Sequence, residues 1–298
     1  MPDSTTVDLI NGLPCWQGRI EISPLAGGMT NRNFLVADAN AGRFVVRIGR
    51  DLPERGVMRF NELAHARAAH RIGISPEVVF AMDGLMMSRF IDGRPLAVED
   101  IRNPQHFEAI LDLIQRCHVE VPRVFRGPAL AFWVFQVIRN YLATLHEASN
   151  HFLADHLRRL ETMSEMLERA IGPITLVFGH NDLLAANFLD DGQRLWLIDW
   201  DYAGFNSPLV DLANLLSNTG FDARRDDQLL ARYFGAHDDA VRRHAFEAFK
   251  CASLLRETLW AAVSERRSSI DFDYATYSRE HLLRLDQAWE LFLANGNR

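Results

Sequence analysis

The chain has 298 residues, 48% of them hydrophobic and 24% charged, which suits a soluble globular protein large enough for one big domain or two lobes. A formal net charge of -7 argues against a nucleic-acid backbone as the main partner. Cys15, Cys117 and Cys251 are few and far apart, so neither a disulfide framework nor a zinc knuckle is expected, and a reducing cytoplasm fits. The first nine residues carry Asp3 and Asp8 and no apolar core, unlike a signal peptide. The most apolar segment, residues 128–138, is too short to cross a bilayer, so no membrane insertion is expected.

Taken in order, residues 20–25 and 33–37 read as strands joined by a glycine-containing connection. Glycine lets a backbone approach closely, so Gly27-Gly28 could lay N–H groups over phosphates, although taken alone the pair is better read as an ordinary hairpin turn. Residues 43–48, rich in β-branched side chains, give a third strand. A helix is expected over 57–72, with Phe60, Leu63, Ala64, Ala68 and Ile72 as its apolar stripe and Gly73 and Pro76 as stop signals. Glu62 falls off that stripe, as a solvated residue near a helix start would. Strands at 77–81 and 85–90 follow, and residues 91–95 break the pattern. That break divides a strand-rich N-terminal lobe, residues 1–91, from a mostly helical lobe, residues 92–298.

Helical periodicity then recurs at 106–117, 129–147, 155–171, 208–217, 239–266 and 274–293. Between the third and fourth of these lie two apolar runs, 174–178 and 195–198, that read as buried strands. They flank His180-Asn181-Asp182-Leu183-Leu184-Ala185-Ala186-Asn187 and lead into Asp199. Two carboxylates and an amide in an apolar setting are costly unless they hold a cation or are fully hydrogen-bonded. The spacing reproduces the layout of a phosphoryl-transfer centre. One carboxylate orients the acceptor hydroxyl, while a second carboxylate and an amide oxygen suit magnesium, which favours hard oxygen ligands.

Together with Ile198-Asp199-Trp200-Asp201-Tyr202-Ala203-Gly204, this motif resembles the choline/ethanolamine kinase family. The resemblance implies an α+β, protein kinase-like fold: a small antiparallel-sheet N-lobe with one main helix, and a larger helical C-lobe. It implies ATP and Mg2+ as cofactors and a small amino alcohol as substrate. Asp182 would be the catalytic base, Asn187 and Asp199 the magnesium ligands, His180 a brace of the loop and Asp211 the residue that holds the loop in place. Gly27, Gly28, Thr30, Asn31 and Asn33 match a phosphate-covering loop. Arg47 stands where many kinases have a strand lysine, with Glu62 as its helix partner; the chain's only lysine is Lys250. Phe90 and Ile91 match the hinge that meets adenine.

Residues 255–260 and 268–274 resemble the segment lining the choline pocket. A quaternary ammonium has no N–H to donate, so aromatic faces, each worth ~0.5–2 kcal/mol, and a nearby carboxylate must recognise it. Trp260 and Tyr202 are candidates for the faces, with Trp200, Phe205 and Tyr274 as further ones, and Glu257 or Asp201 for the charge. Eukaryotic members carry a second tryptophan where this chain has Glu257, and a pocket glutamate near Asn218. Thiamine, an aminoglycoside or homoserine stay open as acceptors, because fold likeness does not choose among them. A two-metal phosphoesterase would need further His and Asp clusters, and a nucleotide-binding pseudokinase would lack turnover.

Overall fold

Strands β1 (Ile20–Leu25), β2 (Arg32–Asp38) and β3 (Gly42–Ile48) form an antiparallel meander in the computed structural model. The structure describes residues 4–25, 31–148, 151–219, 223–235, 239–267 and 272–296. Strands β4 (Val78–Met82) and β5 (Leu85–Arg89) complete a five-stranded sheet of order β1-β2-β3-β5-β4. Alternation along the strands turns Phe34, Val36, Phe44, Val46, Leu85 and Met87 to one face, where Ile10 and Leu13 cover them. Ile10 comes from a helix that periodicity did not reveal, α1 (Ser4–Asn11).

The main helix of this lobe, α2 (Arg59–Arg71), turns Ala66, Ala68 and Ala69 toward the larger core rather than the sheet's own cluster. It therefore couples the sheet to the helical body. After β6 (Arg94–Pro95) come α3 (Val98–Arg102), α4 (Pro104–Val124), α5 (Val134–His146) and α6 (Leu157–Ile171). Four short strands follow: β7 (Val177–Gly179), β8 (Phe188–Asp190), β9 (Leu195–Leu197) and β10 (Gly204–Asn206). The chain closes with α7 (Pro208–Ser217), α8 (Ala223–Phe234), α9 (Ala240–Arg267) and α10 (Tyr274–Gly296). This is the α+β, protein kinase-like arrangement, with an antiparallel sheet and one main helix set against a larger helical body.

Two helix boundaries depart from the periodicity. Helix α4 continues past Cys117 to Val124 despite Pro122 inside it. Helix α5 starts at Val134, not 129, because the residues before it pair with β10: Phe205 N–H donates to the Leu130 carbonyl at 2.9 Å and Phe132 N–H to the Phe205 carbonyl at 3.0 Å. Those bonds fix an extended backbone that no propensity foretells. Helix α9 is buried along most of its length, from Ala245 to Ser264. Among the described residues no helix is long and apolar enough to cross a membrane.

Candidate active site

The loop between β7 and β8 carries Asp182 and Asn187, and the turn after β9 brings back Asp199. Strand β8 pairs with β9, so the hairpin returns Asp199 beside the loop, and Ile198 N–H donates to the Asn187 carbonyl at 3.0 Å. Two non-glycine residues here hold left-handed backbone, Asn181 at φ 65° and Asp199 at φ 68°, a conformation that persists only where surroundings enforce it. For Asn181 the enforcement is visible. Its Nδ2 lies within hydrogen-bond reach of the Tyr202 and Gly204 carbonyls, at 3.0 and 3.2 Å, tying the loop to the segment after Asp199. Gly179 is required next to it, since a Cβ there would stand 2.8 Å from Asn181 Oδ1.

Asp211, in the first turn of α7, clamps the same loop. Its Oδ2 accepts from His180 N–H at 2.8 Å and its Oδ1 from Asn181 N–H at 2.6 Å. His118 Nε2 donates to Oδ2 at 2.9 Å, and the Tyr233 hydroxyl meets His118 Nδ1 at 2.6 Å. Burial would raise the Asp211 carboxyl, but the His118 bond and charge hold it below its ordinary value. His180 is buried, which pushes its pKa down, and its Nε2 donates to the Ile198 carbonyl at 3.0 Å.

Asn187 donates through Nδ2 to the Asp182 carbonyl at 2.9 Å, which fixes the amide and leaves its oxygen free for a ligand. Asn187 and Asp199 border two clefts at once. The larger runs between the sheet and the helical body past Asn33, Arg47, Phe90, Ile91 and Trp200. The smaller is lined by Asp182, Tyr202, Arg256, Glu257 and Trp260. Among the described residues no three His, Cys, Asp or Glu side chains converge on a metal geometry. A cation at Asn187 and Asp199 would thus take its remaining oxygens from phosphates or water.

Arg47 ion-pairs with Glu62 and, at 2.8 Å, with Asp199. Glu62 is 2% exposed and also meets Arg59, which corrects its reading as a solvated helix residue. The side of α2 off the apolar stripe faces two arginines, not water. Burial raises the Glu62 carboxyl to about 7 against both guanidinium groups. Asn31 immediately precedes β2 and Asn33 is the second residue of that strand, and Asn31 Nδ2 donates to Asp201 Oδ2 at 3.0 Å. Gly27, Gly28 and Thr30 lie outside the described residues. Phe90 N–H already donates to the Arg43 carbonyl at 3.0 Å, so that group is not the one left to meet a base.

The candidates for cation recognition divide. Asp201 lines the smaller cleft, as expected, and its carboxylate is held there by Asn31 and by Arg47 and Arg59 at 3.3 and 3.1 Å. Tyr202 has the Arg256 guanidinium 5.2 Å from its ring centroid, so one face is covered. Trp200 borders the larger cleft and donates through Nε1 to Ser75 Oγ at 3.0 Å, and Phe205 packs edge-on against Phe178 at 5.0 Å. Neither joins Trp260. Trp260 instead packs edge-on with Tyr274 and Tyr277 at 5.8 and 5.9 Å, and Tyr277 donates to Glu257 Oε2 at 3.1 Å. Arg59, His118, Tyr277 and above all Arg256 escaped the sequence reading; the one signal for Arg256 is its position next to Glu257.

Asp182 is a perturbed carboxyl of the smaller cleft. Burial raises it to about 7, against the pull of Arg256, whose Nη2 lies 2.8 Å from Oδ1.

Comparison with known proteins shows the family. The profile of the choline/ethanolamine kinase family matches residues 22–233. The chain is 29% identical to Protein LicA of Haemophilus influenzae, across 89% of its own length and 78% of that protein. It is 27% identical to the probable ethanolamine kinase A of Dictyostelium discoideum, across 92% and 87%. A choline/ethanolamine kinase family protein from Mesorhizobium loti superposes with a TM-score of 0.75 at 27% identity, covering 98% of this chain and 97% of that one. The chain therefore belongs to the choline/ethanolamine kinase family, small-molecule kinases that phosphorylate an alcohol group.

Proposed function

We propose that the protein transfers the γ-phosphoryl group of ATP to the hydroxyl of choline or ethanolamine, with residues 1–91 and 92–298 as the two functional lobes. One observation carries the reading. Asn187 and Asp199 border both clefts, and Asp182 lines the acceptor side alone. A donor phosphate in the larger cleft and a hydroxyl in the smaller one would meet where these three side chains stand, as in-line transfer requires.

Each residue then has a task. Asp182 takes the hydroxyl proton, and a base held near neutrality by its surroundings suits that work. Arg47, fixed by Glu62, reaches toward the donor phosphates, a place where a guanidinium can hold both a phosphate and a carboxylate. Asn187 and Asp199 would hold Mg2+, which when bound neutralises charge on the phosphate oxygens. Asp211 and His180 keep the loop in register. Trp260, with Tyr274 and Tyr277 against it and Glu257 beside it, offers an aromatic and acidic wall to a cationic head group. The free cysteines support a reducing, cytoplasmic setting.

ADP release measured with choline, ethanolamine, thiamine, homoserine and an aminoglycoside tests this. The highest kcat/KM is expected for choline or ethanolamine. A clear preference for another acceptor would overturn the substrate, and no ADP release with any acceptor would overturn the kinase reading in favour of a binding role.

A further inference from the structure

Arg256 is a buried cation in the acceptor cleft that the scheme above leaves without a task. It sits on α9 one residue before Glu257 and is 3% exposed. Its Nη2 lies 2.8 Å from Asp182 Oδ1 and also meets Glu257 Oε1. The guanidinium carbon stands 5.2 Å from the Tyr202 ring centroid and 5.8 Å from that of Phe132. Tyr277 fixes the far oxygen of Glu257 by donating to Oε2 at 3.1 Å. A planar guanidinium held by two carboxylates and two rings has one orientation.

A general base works only if its lone pair points at the proton it takes, and a third group often sets that direction. Arg256 occupies Asp182 Oδ1, and no hydrogen bond or ion pair among the described residues occupies Oδ2. Asp182 lines the cleft, so Oδ2 is the oxygen left for an acceptor. Burying an ion pair of this kind gives little net stability, so stability alone is a weak reason for it.

Resting on the kinase reading, we propose that Arg256 is the positioning residue of the base: it pins Asp182 through Oδ1 so that Oδ2 faces the acceptor hydroxyl. In the reaction the acceptor oxygen bonds to the γ-phosphorus. The bond from that phosphorus to the β,γ-bridging oxygen breaks, and its electron pair leaves on ADP. The hydroxyl proton passes to Asp182 Oδ2 and then to water. Arg256 keeps Oδ1 throughout, while Glu257 and Tyr277 set the angle of the guanidinium.

The test compares wild type with Arg256→Lys, Arg256→Met and the double variant Arg256→Met/Glu257→Gln, reading kcat, acceptor KM, nucleotide affinity and thermal unfolding. Misplacing a catalytic group by about 1 Å lowers turnover on the order of 10²-fold, so Arg256→Met is expected to lose about that much kcat with nucleotide affinity unchanged. Arg256→Lys should recover part of it. The double variant removes the pair together and leaves no lone carboxylate at position 257, so it carries the test if the single variant unfolds. It is expected to fold and to stay as slow as Arg256→Met. A double variant with wild-type kcat would overturn the proposal, because Arg256 would then only balance Glu257. A rise in acceptor KM with kcat intact would also overturn it. Failure of the wild type itself to phosphorylate any acceptor overturns the kinase reading and this proposal together, and is distinguishable from both other results.

Discussion

His65 illustrates how one buried side chain sets a response to pH. It is fully buried, its Nδ1 lies 2.6 Å from the Asn61 carbonyl, and its ring stacks on Phe178 at 4.5 Å. Burial pushes its pKa down from 6.5 to about 4. The unfolded chain then binds a proton that the folded chain refuses, so stability falls as pH drops through 6.5 and stops falling near 4. Between pH 7 and pH 5 the share of His65 is about 2 kcal/mol. Raised carboxyls such as Glu62 and Asp182 act in the opposite sense over this range, so the readout is the difference between proteins: urea unfolding should show the change in stability from pH 7 to pH 5 to be less favourable in the wild type than in His65→Phe, by about 2 kcal/mol. Equal changes would show that His65 titrates normally. Glu62 makes the complementary point. Its place on α2 was readable, but not that Arg47 and Arg59 would enclose it, because strand β3 supplies the first of these from across the sheet.

Elements explain which part of the site could be read beforehand. Asp182, Asn187 and Asp199 belong to one loop and one hairpin, so spacing alone brings them together. Asp211 follows in the next helix and was reached through family likeness. Arg256 comes from α9, far along the chain, and its contact with Asp182 depends on how α9 packs beneath α5, α6 and α7. Periodicity carries no record of that. The same holds for residues 129–133, which have helical spacing but are held extended by β10. Helix α7 gives a prediction of its own, since Asp211 joins its first turn to the catalytic loop. Asp211→Ala would leave the buried N–H groups of His180 and Asn181 unpaired, at ~1–3 kcal/mol each. Denaturant unfolding should show a loss of roughly 2–6 kcal/mol. A loss below about 0.5 kcal/mol, the range of ordinary surface substitutions, would mean that the loop holds its shape without the clamp.

Across the whole molecule, the two clefts meet at a band of alternating charge. Asn31, Arg47, Arg59 and Glu62 from the sheet side face Asp199 and Asp201 from the helical side. The larger and the smaller cleft are thus joined by ion pairs and share Asn187 and Asp199. Only Asp182 belongs to the acceptor side alone among the three motif residues. That division allows chemistry to be separated from nucleotide binding by one substitution. Asp182→Asn keeps the size of the side chain and removes the base. Nucleotide affinity and kcat, measured on the same preparation, should part company: affinity within about twofold of wild type, kcat lower by roughly 10²-fold or more. Retained turnover would contradict the account, because the base would then lie elsewhere.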